Sequence, residues 1–419
     1  MKIRLNRLLA GKDGSMVLAA RREFSPPADV RPRVCLVGGP DIDARIDLMR
    51  QLAPDFDVFA LGTSDRLGEV FAEAGFSYHR YPMSRGVNPL RDAWAFARLV
   101  RIFRRERPTI VHTFDTKPGV WGRLAARTAG VPIVIGTLPG LGSLYASSSP
   151  VARLIRFAYE PLQALASRRA DLTVFQNAQD AEDFVERGVV AADRARVIAG
   201  SGVRTDVFTP HARGIATDSR SKLGVAPDAF VVTMISRVTR TKGVLDFAAA
   251  AKKIRATRPE IEFVLAGASD GESFDALTED ELRELERCLR WVGFRDDVRD
   301  ILTLTDVFVF PSYYREGIPR VLMEAASMGL PLIAADVPGS TDVVEDGRNG
   351  ILVPPRDVDA IVAAVLRLAD DPQLRSRLGQ QSRALVMSRH DLRLIVDQTR
   401  SCYQDLLRAR PDLRVVRSG

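Results

Sequence analysis

From residue 33 onward, short apolar runs alternate with longer amphipathic stretches, and that alternation predicts most of the secondary structure. Runs such as VCLV, IVHT and LTVF predict strands over 34–37, 57–61, 110–113, 132–136 and 172–175, with helical periodicity between them. The pattern lapses over 200–224, GSGVRTDVFTPHARGIATDSRSKLG, where Gly, Ser, Thr and charge predict a linker. It then resumes, with strands expected over 230–235, 261–265, 306–310, 331–333 and 350–353 and helices over 243–255 and 360–369. Parallel strands need crossover helices, so the expected class is α/β, with two Rossmann-like domains facing a cleft. The expected boundaries are a flexible basic leader at 1–30, a first domain at 31–207, a second at 208–390 and a C-terminal helical segment at 391–419.

Composition suits such a protein. The chain has 419 residues, 46% hydrophobic and 27% charged, enough to build large cores in two or three domains. Its three cysteines, Cys35, Cys288 and Cys402, are too scattered for a disulfide framework or metal-ligand spacing, which predicts a reducing compartment. No run approaches the ~20 apolar residues of a membrane span. Lys12, Asp13 and Arg21 interrupt the N-terminal apolar patches, which argues against a signal peptide.

The net charge of +7 is unevenly spread. Over 90–106, Arg91, Arg98 and Arg105 recur every seven residues with Arg101 nearby, and Trp94 and Ala97 lie among them. VARLIRFAYEPLQALASRRAD is a second basic amphipathic piece. Such helices either lie on anionic lipid or face the core with basic outer sides, and the pattern alone leaves both readings open. Nucleic acid is disfavoured, because no aromatic-studded strand platform or reading motif accompanies the charge.

The chemistry concentrates in SYYREGIPRVLMEAASMGLPLIAAD. Glu316 precedes Gly317 and Pro319 at a predicted helix mouth, and Glu324 follows about a turn and a half along that helix. Two acceptor-only carboxylates facing one cavity suit a polyol, and a helix N-terminus suits a phosphate. The competing reading has Glu316 capping the helix and Glu324 pairing with a nearby Arg. In SRVTRTKG, Arg237 and Lys242 leave the carboxyl end of the 230–235 strand, where they could neutralise a diphosphate or form a solvated basic turn. Asp41-Ile42-Asp43 reads as helix capping rather than metal binding, and Gly140-Leu141-Gly142 is half a dinucleotide fingerprint broken by Tyr145. His112 ends a strand and reads first as a structural hydrogen-bonder. Lys117 follows Asp115 in TFDTKPG, where a solvated Lys competes with a phosphate ligand.

With these residues in place, the chain resembles the family-4 retaining glycosyltransferases of the GT-B type, from about 33 to about 391 and most specifically over 306–355. The resemblance implies donor contacts from Glu316 to sugar hydroxyls, from Glu324 to ribose, and from Arg237 and Lys242 to the diphosphate. It also implies donor-side backbone at Gly38, Gly39, Val292, Gly317, Ile318 and Pro319. Arg237, Lys242 and Glu316 would carry catalysis without a metal or cofactor, and His112 and Lys117 would lie on the acceptor side. YREGIPRVLMEA, VHTFDTKPGVWGRLAARTAGVP and TLPGLGSLY resemble the branch that transfers from UDP-sugars to polyprenyl-diphosphate-linked acceptors. That branch implies a peripheral enzyme at the inner face of the cytoplasmic membrane, with LRLIVDQTRSCYQDLLRAR crossing back to the first domain. The chain departs from many relatives at Phe114 and Pro139, where a His is common, and at Thr341, where an Arg or similar polar residue is frequent. A GT-B-fold nucleotide-sugar epimerase and a non-catalytic nucleotide-sugar-binding protein are the alternatives.

Overall fold

The structure is a computed structural model that describes residues 31–83, 88–138, 140, 150–210, 220–221, 223–271, 273, 275–314 and 316–414. The expected leader at 1–30, Pro139, Leu141, Gly142 and Tyr145 lie outside them, as do parts of the linker and of the TLPGLGSLY stretch.

Two parallel sheets organise the chain. The first contains β1 (Arg33–Val37), β2 (Asp57–Gly62), β3 (Tyr78–Arg80), β4 (Ile110–Thr113), β5 (Ile133–Leu138), β6 (Leu172–Phe175) and β7 (Ala195–Val197), in the order β3-β2-β1-β4-β5-β6-β7. The second contains β8 (Phe230–Ile235), β9 (Ile261–Ala266), β10 (Arg290–Trp291), β11 (Val307–Phe310), β12 (Leu332–Ala335) and β13 (Gly350–Val353), in the order β10-β9-β8-β11-β12-β13. Each order reverses once, between β1 and β4 and between β8 and β11. The two Rossmann-like domains of the expected α/β class are therefore present.

The central strands are continuous apolar runs because helices cover both faces of each sheet. On one face of the first sheet, Val34, Leu36 and Ile110 pack with Met49 and Leu52 of helix Ile46–Leu52. On the other, Cys35, Val37 and Val111 meet Leu99 and Phe103 of helix Pro89–Glu106 and Ala125 of helix Thr116–Thr128. Three strands escaped the sequence pattern: β3, β7 and β10. Each is a two- or three-residue edge strand, incompletely buried and without a long apolar run.

The last long helix, Leu392–Arg408, packs on the first sheet. Leu392, Ile395, Val396 and Tyr403 share a core with Val34 and Leu36, and Tyr403 meets Phe56 edge-on at 5.5 Å. The two chain segments that join the domains run side by side. Val203 donates its N–H to the His390 carbonyl at 2.9 Å, and Leu392 donates to the Val203 carbonyl at 2.9 Å. Gly202 permits this approach, because a Cβ there would sit 2.8 Å from the Leu392 Cα.

Candidate active site

Ligands of open α/β sheets gather outside the carboxyl ends of strands, at the point where strand order reverses. A cavity of about 330 Å³ occupies that position for both sheets at once. Its first-domain wall comes from the segments after β1, β4 and β6, including Arg45, Asp115 and Gln176; its second-domain wall comes from those after β8 and β11. A larger cavity of about 640 Å³ lies behind the second sheet, at the opposite ends of β8, β11 and β12. Position relative to the strands favours the smaller one.

Lys242 ends the turn Arg240–Lys242 directly before helix Val244–Arg255. Gly243 holds that turn against β11: its φ is 76°, and a Cβ would meet the Pro311 carbonyl oxygen at 2.3 Å. The Lys242 Nζ stands 2.5 Å from Glu316 Oε1 and 5.1 Å from the Tyr314 ring centre. Ser312 donates its hydroxyl to the same Glu316 oxygen at 3.0 Å. Glu316 is thus fixed by its neighbours with one oxygen unused in these contacts, rather than capping the helix. Arg237 lies further out, pairing with Asp270 at 2.9 Å while its side chain remains 54% exposed.

The Glu316-Gly317-Ile318-Pro319 loop is clamped from two sides. Gly339, at φ 89°, lies so close that a Cβ would be 1.9 Å from the Gly317 carbonyl oxygen. From the first domain, Gln176 Oε1 accepts the Ile318 N–H at 3.0 Å. Pro319 then caps helix Arg320–Ser327 with φ −64°.

The other expected residues stand in several different settings. Glu324 does not line the cavity: it is buried in the helix and accepts a hydrogen bond from Arg320 Nε at 2.8 Å, one helical turn back. Burial pushes its carboxyl above the usual range, while Arg320, which does line the cavity, opposes that shift. Gly38 and Gly39 flank the site, but their amides are engaged, Gly38 N–H with the Leu61 carbonyl at 3.0 Å and Gly39 N–H with Asp115 Oδ2 at 2.9 Å. Lys117 turns to Asp92 of helix Pro89–Glu106 at 2.6 Å and is off the cavity wall. Val292 lies beyond β10 on the sheet edge, its N–H donated to Leu265, and also off that wall. Asp41 occupies an N-cap position without making a side-chain cap bond, and lines the cavity instead.

His112 is a core residue. Its Nδ1 lies 2.7 Å from the Tyr403 hydroxyl and its Nε2 2.7 Å from the Thr137 hydroxyl, so one ring nitrogen donates and the other accepts. Burial, helped by the nearby Arg45 charge, lowers its pKa to about 3. The unfolded chain, with an imidazole pKa of ~6.5, takes up this proton before the folded chain does, so stability falls as pH drops from ~6.5. The loss continues toward the folded value of about 3. His112→Gln should therefore flatten the acid limb of a stability-versus-pH curve measured by urea unfolding. Transfer at neutral pH should stay within about threefold of wild type, because the residue does not reach the cleft.

Asp115 is the residue that sequence reasoning passed over. Its φ of 69° and ψ of 168° belong to a region that suits glycine, at a cost on the order of 1–3 kcal/mol. The strain places a carboxylate at the cleft, against Gly39. Asp115, Gln176 and Arg45 share one readable feature: each follows closely after the carboxyl end of a strand or on the turn beyond it.

Two doubly wound domains with their switch points facing across such a cleft define the GT-B architecture. Residues 216–385 match the family described as "Glycosyl transferases group 1", and residues 46–200 match the "Glycosyl transferase 4-like domain". The chain belongs to the family-4 glycosyltransferases. It is 30% identical over 330 residues to the UDP-Gal:alpha-D-GlcNAc-diphosphoundecaprenol alpha-1,3-galactosyltransferase of Escherichia coli, covering 78% of this chain and 82% of that one. It is 25% identical over 334 residues to the N,N'-diacetylbacillosaminyl-diphospho-undecaprenol alpha-1,3-N-acetylgalactosaminyltransferase of Campylobacter jejuni, covering 78% and 85%. Among solved structures, Anabaena HepE in complex with UDP shares the fold with a TM-score of 0.71 at 19% identity, covering 89% of this chain and all of that one.

Proposed function

We propose that this glycosyltransferase moves a glycosyl group from a UDP-sugar to a hydroxyl of a polyprenyl-diphosphate-linked saccharide, with retention of anomeric configuration and without a metal. The observation that carries this reading is the Lys242–Glu316 pair, held at 2.5 Å at the switch point of the second sheet with Arg237 nearby. A cation and a carboxylate side by side suit the two ends of a sugar diphosphate, the phosphate on Lys242 and the sugar hydroxyls on Glu316. The names of the Escherichia coli and Campylobacter jejuni relatives support a diphosphate-lipid acceptor, and the first also supports a UDP donor.

In the proposed step the bond from C1 to the diphosphate oxygen breaks, and the acceptor oxygen bonds to C1 on the same face. The acceptor's proton passes to the departing diphosphate. Arg237 and Lys242 stabilise the charge that grows on the leaving group. Glu324 cannot act as nucleophile in this arrangement, being buried and bound to Arg320. The second domain holds the donor, the first receives the acceptor, and the Gln176–Ile318 contact joins the two walls.

The basic helices support attachment to a membrane surface. No helix of the described residues is long and apolar enough to cross a membrane. On helix Pro89–Glu106, however, Leu90, Trp94, Ala97 and Arg101 recur at helical spacing and are exposed, Trp94 by 60%. On helix Pro150–Arg169, exposed Phe157 and Leu165 accompany Arg153 and Arg168. Apolar and cationic side chains sharing an outer face fit anionic lipid better than bare solvent.

The test is a panel of nucleotide sugars against lipid-extracted diphosphate-linked saccharides, reading nucleotide release and product mass. Acceptor-dependent UDP release with one added glycosyl unit is expected. Release without a heavier product, or an isomerised donor, would contradict the proposal.

A further inference from the structure

Every other basic side chain named on the cavity wall has a carboxylate partner. Arg237 has Asp270 at 2.9 Å, Lys242 has Glu316 at 2.5 Å, and Arg320 has Glu324 at 2.8 Å. Arg45 differs. It ends the turn Ile42–Arg45 after β1, is half-buried, and lines the same cavity from the first domain. Among the described residues its guanidinium makes no hydrogen bond or ion pair, and its recorded contact is the face of Phe114, 4.5 Å from Cζ to the ring centre.

That environment leaves a half-buried charge without an acceptor. Burial pulls the Arg45 pKa down, Arg320 pulls it further, and the charge of Asp115 only partly offsets them. Asp115 stays outside ion-pair distance and gives an oxygen to the Gly39 amide instead. A guanidinium offers five N–H donors in a fixed plane, and stacking on an aromatic ring holds that plane while leaving its edge free. The ligand that matches is an anion with several oxygens, and a phosphate accepts such a fork in bidentate fashion.

We propose that Arg45 is a phosphate-binding residue of the cleft, supplied by the first domain, that grips a diphosphate oxygen when substrate enters. This rests on the nucleotide-sugar reading of the cleft. The diphosphate is that of the donor nucleotide or that of the lipid-linked acceptor, and two measurements separate these sources. Full-length Arg45→Gln and Arg45→Lys are titrated calorimetrically with UDP alone. They are then assayed for KM with the diphosphate-linked acceptor and with the same saccharide on a phosphate-free alkyl carrier.

A UDP Kd raised about tenfold or more by Gln, and less by Lys, assigns Arg45 to the donor. An unchanged UDP Kd with KM raised about tenfold for the diphosphate-linked acceptor alone assigns it to the acceptor. Both constants within twofold of wild type for the two variants overturn the proposal. Should the variants misfold, the wild-type Arg45 Nε–H NMR resonance is followed against UDP and inorganic pyrophosphate; no shift with either overturns it equally. Wild-type protein that binds UDP but transfers to no acceptor would refute the transferase reading, while the UDP arm would still report on Arg45.

Discussion

Replacing Lys242 with Ala is expected to lower kcat/KM for sugar transfer by about 100- to 1,000-fold, the scale of losing one preorganised donor to a developing oxyanion. The side chain is 9% exposed and its Glu316 partner 19% exposed, so the pair sits in a medium that screens charge less than water does. Two effects would mix in the single variant: loss of the cation that faces the phosphate, and a carboxylate left without its partner. Removing one member of a fully buried pair destabilises by roughly 3–5 kcal/mol, and this partly exposed pair should lose less. Lys242→Ala combined with Glu316→Gln separates the two. The double variant should regain thermal stability relative to Lys242→Ala while remaining as inactive. Recovery of transfer in the double variant would show that Lys242 serves only to neutralise Glu316.

The second large effect is expected at Gly339, well away in sequence from the loop it supports. With φ at 89° and a Cβ position 1.9 Å from the Gly317 oxygen and 2.9 Å from the Glu316 oxygen, alanine must push the loop or break its own backbone geometry. Left-handed strain and overpacking together should cost roughly 2–5 kcal/mol. Gly347 provides the control, since it has φ 69° but open space where a Cβ would go. Gly347→Ala should show the backbone part alone, on the order of 1–2 kcal/mol. Gly339→Ala should lose more, by denaturant unfolding, and should also weaken UDP binding. Equal losses in the two variants would mean that the collision is relieved without moving Glu316.

The contrast between these two residues shows what a sequence discloses. Glu316 through Pro319 and the Arg237–Lys242 segment are contiguous motifs, and contiguous motifs are readable. Gly339 acts only through a fold that brings it against Gly317, and nothing in VPGSTD announces that contact. The same limit applies to Arg45, Asp115 and Gln176, which stand on the first-domain wall although more than a hundred residues separate the first from the last. Strands fared similarly. β4 and β11 were legible because both faces are buried and the runs, IVHT and VFVF, are rich in β-branched and aromatic residues. That burial on both faces hid which way His112 points, since an alternating pattern appears only when one face meets water. Glu324 shows a different limit. Its pairing with Arg320 was a visible four-residue spacing, but spacing could not say which of the two would face the cavity.

The central claim is that nucleotide binds where the two switch points meet. Amide hydrogen exchange with and without UDP tests it, because the interdomain cleft and the rear cavity lie at opposite ends of the second sheet's strands. The predicted result is slower exchange in peptides spanning 236–243 and 316–324, with no change around 328–331. Protection confined to 328–331 and 302–306, the lining of the rear cavity, would contradict the account.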